Sequence, residues 1–177
     1  MSVIKSALLD IIDIKALKQV VERFMKEHNK TGMKEKDMIL WLESTPEKKL
    51  RPRFFGTKFG SQAPECDYII KLPGSYDIGV RQKLDENKKP MLTKKGKPIY
   101  EIIADNELFG GKYISDNYGK DDEGRKIMGE SSCNLLKEYQ KQVLVNKYAK
   151  TGRKLEFIQQ ANGGIKARLH AKQDKGF

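Results

Sequence analysis

Residues 154–172, KLEFIQQANGGIKARLHAK, leave little freedom in what they can fold into. Asn162-Gly163-Gly164 lies between two runs of another character, and Asn and Gly tolerate the positive φ of a tight turn. Beyond the turn the chain alternates strictly. Ile165, Ala167, Leu169 and Ala171 fall on one side, and Lys166, Arg168, His170 and Lys172 on the other. Period two belongs to a half-buried strand. The spacing predicts a β-hairpin with one face on a core and a row of cations on the other. Such cations either keep an edge strand soluble or meet a polyanion.

The rest of the chain repeats the cationic theme. Lys and Arg number 35 against 24 Asp and Glu, a formal net charge of +11 with an isoelectric point near 9.5. That balance favours phosphate-rich partners, nucleic acid or an anionic surface. A lysine-rich surface with no partner is the plainer alternative. The length, 177 residues, suits one domain with a core that needs no disulfide staples. Cys66 and Cys133 lie far apart and away from any His cluster, which speaks against a zinc site and for reduced thiols. The first residues, SVIKSALLDIIDIK, interrupt their apolar run with Lys5, Asp10 and Asp13, unlike a signal peptide. No stretch reaches the roughly 18 apolar residues of a membrane span, so a cytoplasmic protein is expected, in the host cytoplasm if the source is viral.

Residues 1–32 read as a helical N-terminal region. Ile4, Leu8, Ile11 and Ile12 recur at three and four. Asp13 is placed to cap a second segment with Leu17, Val20, Val21, Phe24 and Met25 on one face, and Gly32 is a natural stop. Residues 36–43, KDMILWLE, fit a buried strand or a helical turn equally well, with Trp41 in the core. Residues 66–72 and 78–84 read as strands, the second with Arg81 and Lys83 on its outer side. Residues 99–103 form a further strand after two polar turns, 85–90 and 94–98. No internal repeat is apparent. From 101 to 124 acids dominate, as a solvated loop region around a short strand at 112–114. Ser131 and Ser132 are placed to cap a helix over 131–151 that ends at Gly152. The expected fold is one α+β domain, 1–177, in which two or three helices pack on an antiparallel sheet. That sheet is a meander over 66–103, within the 36–124 region, together with the hairpin at 154–172.

Residues 46–60, PEKKLRPRFFGTKFG, interleave Lys48, Lys49, Arg51, Arg53 and Lys58 with Phe54, Phe55 and Phe59. Cations for phosphates and rings for bases are what a single strand requires, each stack contributing roughly 1–3 kcal/mol. The rings serve equally well as anchors of a loop into the core. Arg81, Lys83, Lys94, Lys95 and Lys97 continue the basic surface, and Lys166, Arg168, His170 and Lys172 complete it.

Chemistry beyond binding finds little support. His28 and His170 are the only histidines, and neither has a sequence neighbourhood that suggests catalysis. No Gly-x-Ser-x-Gly and no phosphate loop occurs. Asp77 with Glu86-Asn87-Lys88 has the order of a metal-dependent nuclease site, but its second half sits in a polar turn rather than on a strand. Asp121, Asp122 and Glu123 lack the alternation of a calcium loop. No metal site and no cofactor are expected. The expected function is non-enzymatic binding of single-stranded nucleic acid, RNA before DNA, with low sequence specificity. The alternatives are a structural or inhibitory factor that binds an acidic protein, such as a virus-encoded accessory or virion protein, and a small nuclease. An antiparallel sheet with open edges also makes a homodimer conceivable.

Overall fold

The structure is a computed structural model and describes residues 4–6, 10–53, 63–73, 77–105, 128–159 and 165–171. In chain order the elements are β1 (Ile4–Ser6), α1 (Ile14–His28), a 3-10 turn (Glu35–Asp37), β2 (Leu40–Glu43), β3 (Tyr68–Lys71), β4 (Asp77–Gln82), β5 (Tyr100–Asp105), α2 (Met128–Tyr148), a second 3-10 turn (Ala149–Thr151), β6 (Leu155–Gln159) and β7 (Ile165–Leu169). The class is α+β, as the pattern of the chain predicts.

β2 to β5 form an antiparallel meander, and β1 adds to the outer edge of β5, in the order β1-β5-β4-β3-β2. Directly opposed residues share a face. Tyr68, Val80 and Ile102 stand in one such row, and Trp41, Ile70 and Ile78 in the next. This face packs on both helices. Leu17, Val20 and Val21 of α1 and Leu135, Leu136 and Tyr139 of α2 close the core with Ile70, Ile78, Val80 and Ile102. Asp13 caps α1, its carboxylate accepting from Ala16 N at 3.0 Å. The buried Tyr139 hydroxyl accepts from the backbone N–H of Ile12 and Asp13, both at 3.0 Å, and so joins α2 to the start of α1.

The N-terminal region departs from expectation. Ile4–Ser6 is a strand, and Ile11 pairs with Tyr100 through two hydrogen bonds of 2.8 Å. Helical spacing of apolar residues is outweighed here by the open edge of β5, whose N–H and C=O groups need partners. α1 ends at His28, before Gly32. Asn29 closes it and clamps Ile39, donating to its carbonyl at 2.8 Å and accepting from its N–H at 2.9 Å. Residues 36–43 divide between turn and strand. α2 starts at Met128, so Ser131 and Ser132 lie within it rather than at its cap. The C-terminal stop holds, with Gly152 at φ +68°.

The other face of the sheet is strapped by two short segments. Cys66 N donates to Leu50 O at 2.8 Å, and Ala63, Cys66, Ile69 and Ile103 form a second small core with Leu50. The approach is close. A Cβ placed on Gly79 would lie 2.6 Å from Cys66 Sγ and 3.1 Å from Pro52 Cγ. Burial pushes the Cys66 thiol up to about 12.

The terminal hairpin forms with the predicted strands, Leu155 opposite Leu169 and Phe157 opposite Ala167. It is a separate two-stranded sheet and does not extend the meander. Its apolar side leans on α2 only in part. Phe157 is half-buried beneath Lys141, whose ammonium lies 5.6 Å from the ring centroid, while Ala167 is exposed. The turn at 162–164 lies outside the described residues, as does the strand expected at 112–114. Among the described residues no helix is long and apolar enough to cross a membrane.

Candidate nucleic-acid interface

Between β4 and β5 the chain makes the same turn twice. Leu84-Asp-Glu-Asn-Lys-Lys-Pro-Met91 is followed at once by Leu92-Thr-Lys-Lys-Gly-Lys-Pro-Ile99. Leu84 bridges Pro90, and Leu92 bridges Pro98. Asp85 N donates to Lys89 O at 2.8 Å, as Thr93 N does to Lys97 O at 2.7 Å. Lys88 N returns to Asp85 O at 3.0 Å, as Gly96 N does to Thr93 O at 2.9 Å. The side-chain oxygens match too. Asp85 Oδ1 accepts from Lys89 N at 2.9 Å, and Thr93 Oγ1 from Lys97 N at 3.1 Å. Lys88 and Gly96, at φ +60° and +78°, supply the left-handed residue of each turn. A ring of backbone bonds closes the base of the pair: Lys83 N to Ile99 O, Ile99 N to Met91 O, and Met91 N to Lys83 O, at 2.8, 3.1 and 2.8 Å. The chain therefore does contain an internal repeat, eight residues long. It is hidden in the sequence because only the Leu, the Lys-Pro pair and the following apolar residue coincide.

This double turn is a rigid projection that carries Lys88, Lys89, Lys94, Lys95 and Lys97. All five are exposed, and none bonds to an acid among the described residues. Register places a second basic turn at the same end of the sheet. β2 ends and β3 begins there, with Glu43 opposite Tyr68, and β4 ends as β5 begins, with Gln82 opposite Tyr100. Just past β2, Thr45 N donates to Lys48 O at 3.0 Å and Thr45 Oγ1 accepts from Lys48 N at 3.0 Å, which presents exposed Lys48 and Lys49.

Three half-buried rings share this end of the sheet. Trp41 stacks on Tyr68 with centroids 5.1 Å apart, and Tyr68 meets Tyr100 edge-on at 5.7 Å. Burial, with the neighbouring Tyr68 charge and hydroxyl, pushes the Tyr100 hydroxyl up to about 12. Sequence reading assigns Trp41 to the core and gives the tyrosines no role. Nothing in their spacing signals the cluster, which exists only through strand register.

The remaining predicted cations divide into groups. Arg53 is bound into the fold. Its Nε and Nη2 donate to Asp77 at 3.0 and 2.8 Å, its backbone N–H donates to the same carboxylate at 2.9 Å, and Nη2 also reaches Leu72 O at 3.2 Å. Asp77 is buried, its side chain 4% exposed. Arg51 ties Ala63 O and Glu65 together across the strap. Arg81 pairs with Glu101 at 2.6 Å, and Lys83 with Asp10 at 2.9 Å. Each of these four is engaged by an acid, and Arg53 by a buried one. Lys166 and Arg168 are exposed on the separate hairpin, and His170 meets Glu156 at 2.8 Å there. Phe54, Phe55, Lys58, Phe59 and Lys172 lie outside the described residues. Glu86 and Lys88 sit on the projecting turn at the opposite end of β4 from Asp77, which removes the nuclease-like arrangement. Among the described residues no three His, Cys, Asp or Glu side chains group as metal ligands. Compared with known proteins, the chain matches no family model, no curated protein and no solved structure.

Proposed function

We propose that the chain binds nucleic acid without catalysis and favours single strands, RNA before DNA, through the sheet end that carries the double turn. The observation that carries this reading is Lys88. A lysine in the left-handed region costs roughly 1–2 kcal/mol, and glycine is the residue that avoids the cost. The second copy of the turn uses Gly96 at that position, and the first keeps a cation. Strain retained at an exposed site points to use of the side chain. Five lysines on a rigid projection, with Lys48 and Lys49 beside it, provide cations along a path, and neutralised phosphates release counterions. The aromatic cluster favours unpaired bases over a duplex. Few groups nearby suit base-edge reading over a long site, so sequence preference is weak.

The test is fluorescence anisotropy with labelled single-stranded RNA, single-stranded DNA and duplex DNA at about 50 and 200 mM salt, the range over which several phosphate contacts become visible. Single-strand binding that weakens steeply with salt, with duplex bound less well, is the expected result. No binding at the lower salt overturns the reading. It would turn attention to an acidic protein partner, for which exposed Leu84 and Leu92 on the same projection would be the contact.

A further inference from the structure

At the end of the sheet that carries the double turn lies a cavity of about 190 Å³, walled by the turn after β2 and by the Tyr68–Tyr100 pair, with Glu43, Asp67 and Lys49 in its lining. Its walls are held in place. Ser44 Oγ donates to Cys66 O and accepts from Leu50 N at 3.1 Å, and Ser44 N donates to Asp67 O at 2.8 Å. Both carboxylates are half-occupied. Trp41 Nε1 and Lys18 Nζ both donate to Glu43 Oε1, at 3.0 and 3.1 Å. Gln82 N donates to Asp67 Oδ2 at 2.8 Å. Among the described residues the second oxygen of each carries no bond. The cavity thus combines two open acceptors, two aromatic rings and one ammonium group.

We infer that this cavity takes one unpaired, amino-bearing base, guanine before cytosine or adenine, with its phosphate beside Lys49. Two carboxylates in one lining supply acceptors for the N1–H and N2–H donors on the Watson–Crick edge of guanine, and either supplies one for the exocyclic amine of cytosine or adenine. Uracil presents one N–H between two carbonyls, which would face the carboxylates with like charge. The rings give a base an aromatic wall. Carboxylates beside aromatic rings also suit a free organic cation, but Lys49 in the same lining repels a cation and attracts a phosphate. The inference deepens the proposed function, since it makes one position along a bound strand selective for its base.

The single tryptophan, Trp41, stacks on Tyr68, so its fluorescence reports on the cavity. The experiment titrates the full chain with GMP, CMP, AMP and UMP and follows that signal. It is repeated on Asp67→Asn and on Glu43→Gln, the latter at an exposed position where the amide oxygen can still accept from Trp41. GMP is expected to bind at least tenfold tighter than UMP, with CMP and AMP between. Each variant is expected to reduce the GMP preference severalfold, weakening GMP by loss of a carboxylate acceptor and relieving the repulsion of the uracil carbonyls. Equal responses to the four nucleotides, or none, overturn the inference, as does a GMP preference that survives both variants. A uridine-only strand, run in parallel, separates the two claims. If it binds with salt sensitivity while the mononucleotides show no preference, the cavity inference fails and the function stands. If GMP is preferred but no strand binds, the reverse holds.

Discussion

Lys88→Gly should raise stability and lower affinity together, a combination that few substitutions produce. The left-handed conformation at φ +60° costs a lysine roughly 1–2 kcal/mol that glycine avoids. Glycine loses more backbone entropy on folding, about 0.5–1 kcal/mol. The net gain is about 0.5–1 kcal/mol, which for a chain of this size raises Tm by roughly 1–4 °C. No interaction offsets this, because Lys88 is exposed and its side chain bonds to nothing among the described residues. Binding should move the other way. With one phosphate fewer neutralised on a single strand, the slope of log K against log salt becomes shallower by about 0.7. Differential scanning calorimetry gives the first quantity, and anisotropy over a series of salt concentrations gives the second. Lys89→Gly serves as the control, since it removes a neighbouring cation without relieving a left-handed residue and should lower affinity with no gain in Tm. The reasoning is refuted if Lys88→Gly lowers Tm, or if its affinity and salt slope equal those of the parent chain.

Asp77→Ala should destabilise the fold by about 3 kcal/mol, the lower end for a broken buried pair because Arg53 is itself about half exposed. Urea denaturation measures this, and a loss under about 1 kcal/mol would remove Arg53 from the structural cations. In a Cys133→Ser background the Cys66 thiol should resist alkylation near pH 8 under native conditions and react once the chain is unfolded. Its raised value means that the unfolded state releases the proton first. Its contribution to stability is therefore complete below the ordinary 9.0 and declines as pH rises toward about 12. Rapid native alkylation at pH 8 would show that the strap over Gly79 opens readily.

What the sequence reveals follows from the range of the forces involved. α1, the strands at 66–72, 78–84 and 99–103, and β6 and β7 are legible because apolar periodicity and flanking turn residues are local signals. β1 is not, because Ile4–Ser6 takes its conformation from the edge of β5, some hundred residues away, as its pairing with 103–105 shows. The hairpin's strands are readable and its separation from the meander is not, since alternation says that a strand has an apolar face but not what lies against it. The site divides in the same way. Among the candidate residues, Lys48, Lys49, Lys94, Lys95 and Lys97 are picked out by charge and turn composition. Tyr68 and Tyr100 come together only through register, and Lys88 stands out only through its φ.

The division between arginine and lysine has a physical basis that charge counting cannot supply. Arg51 and Arg53 lie among Lys48 and Lys49 in sequence, and a tally treats all four alike. A guanidinium presents several donors in a rigid fork and tolerates partial burial, whereas an ammonium is a compact, strongly hydrated charge. At the strap, Asp77 is buried and has two oxygens to satisfy, along with a backbone carbonyl at Leu72 close by. Arg53 meets these together with Nε and Nη2, and Arg51 joins Ala63 O to Glu65 in the same manner. A lysine at either position could reach one acceptor well and would lose hydration in doing so. The same properties keep Lys48, Lys49 and the double-turn lysines in water, where they gain little from an isolated exposed acid but remain available to a phosphate chain that can engage several at once. The net charge of +11 therefore overstates the arginine share of the proposed binding surface. Substituting Arg53 should alter affinity mainly by loosening the strap, and substituting the lysines should alter it with the strap intact.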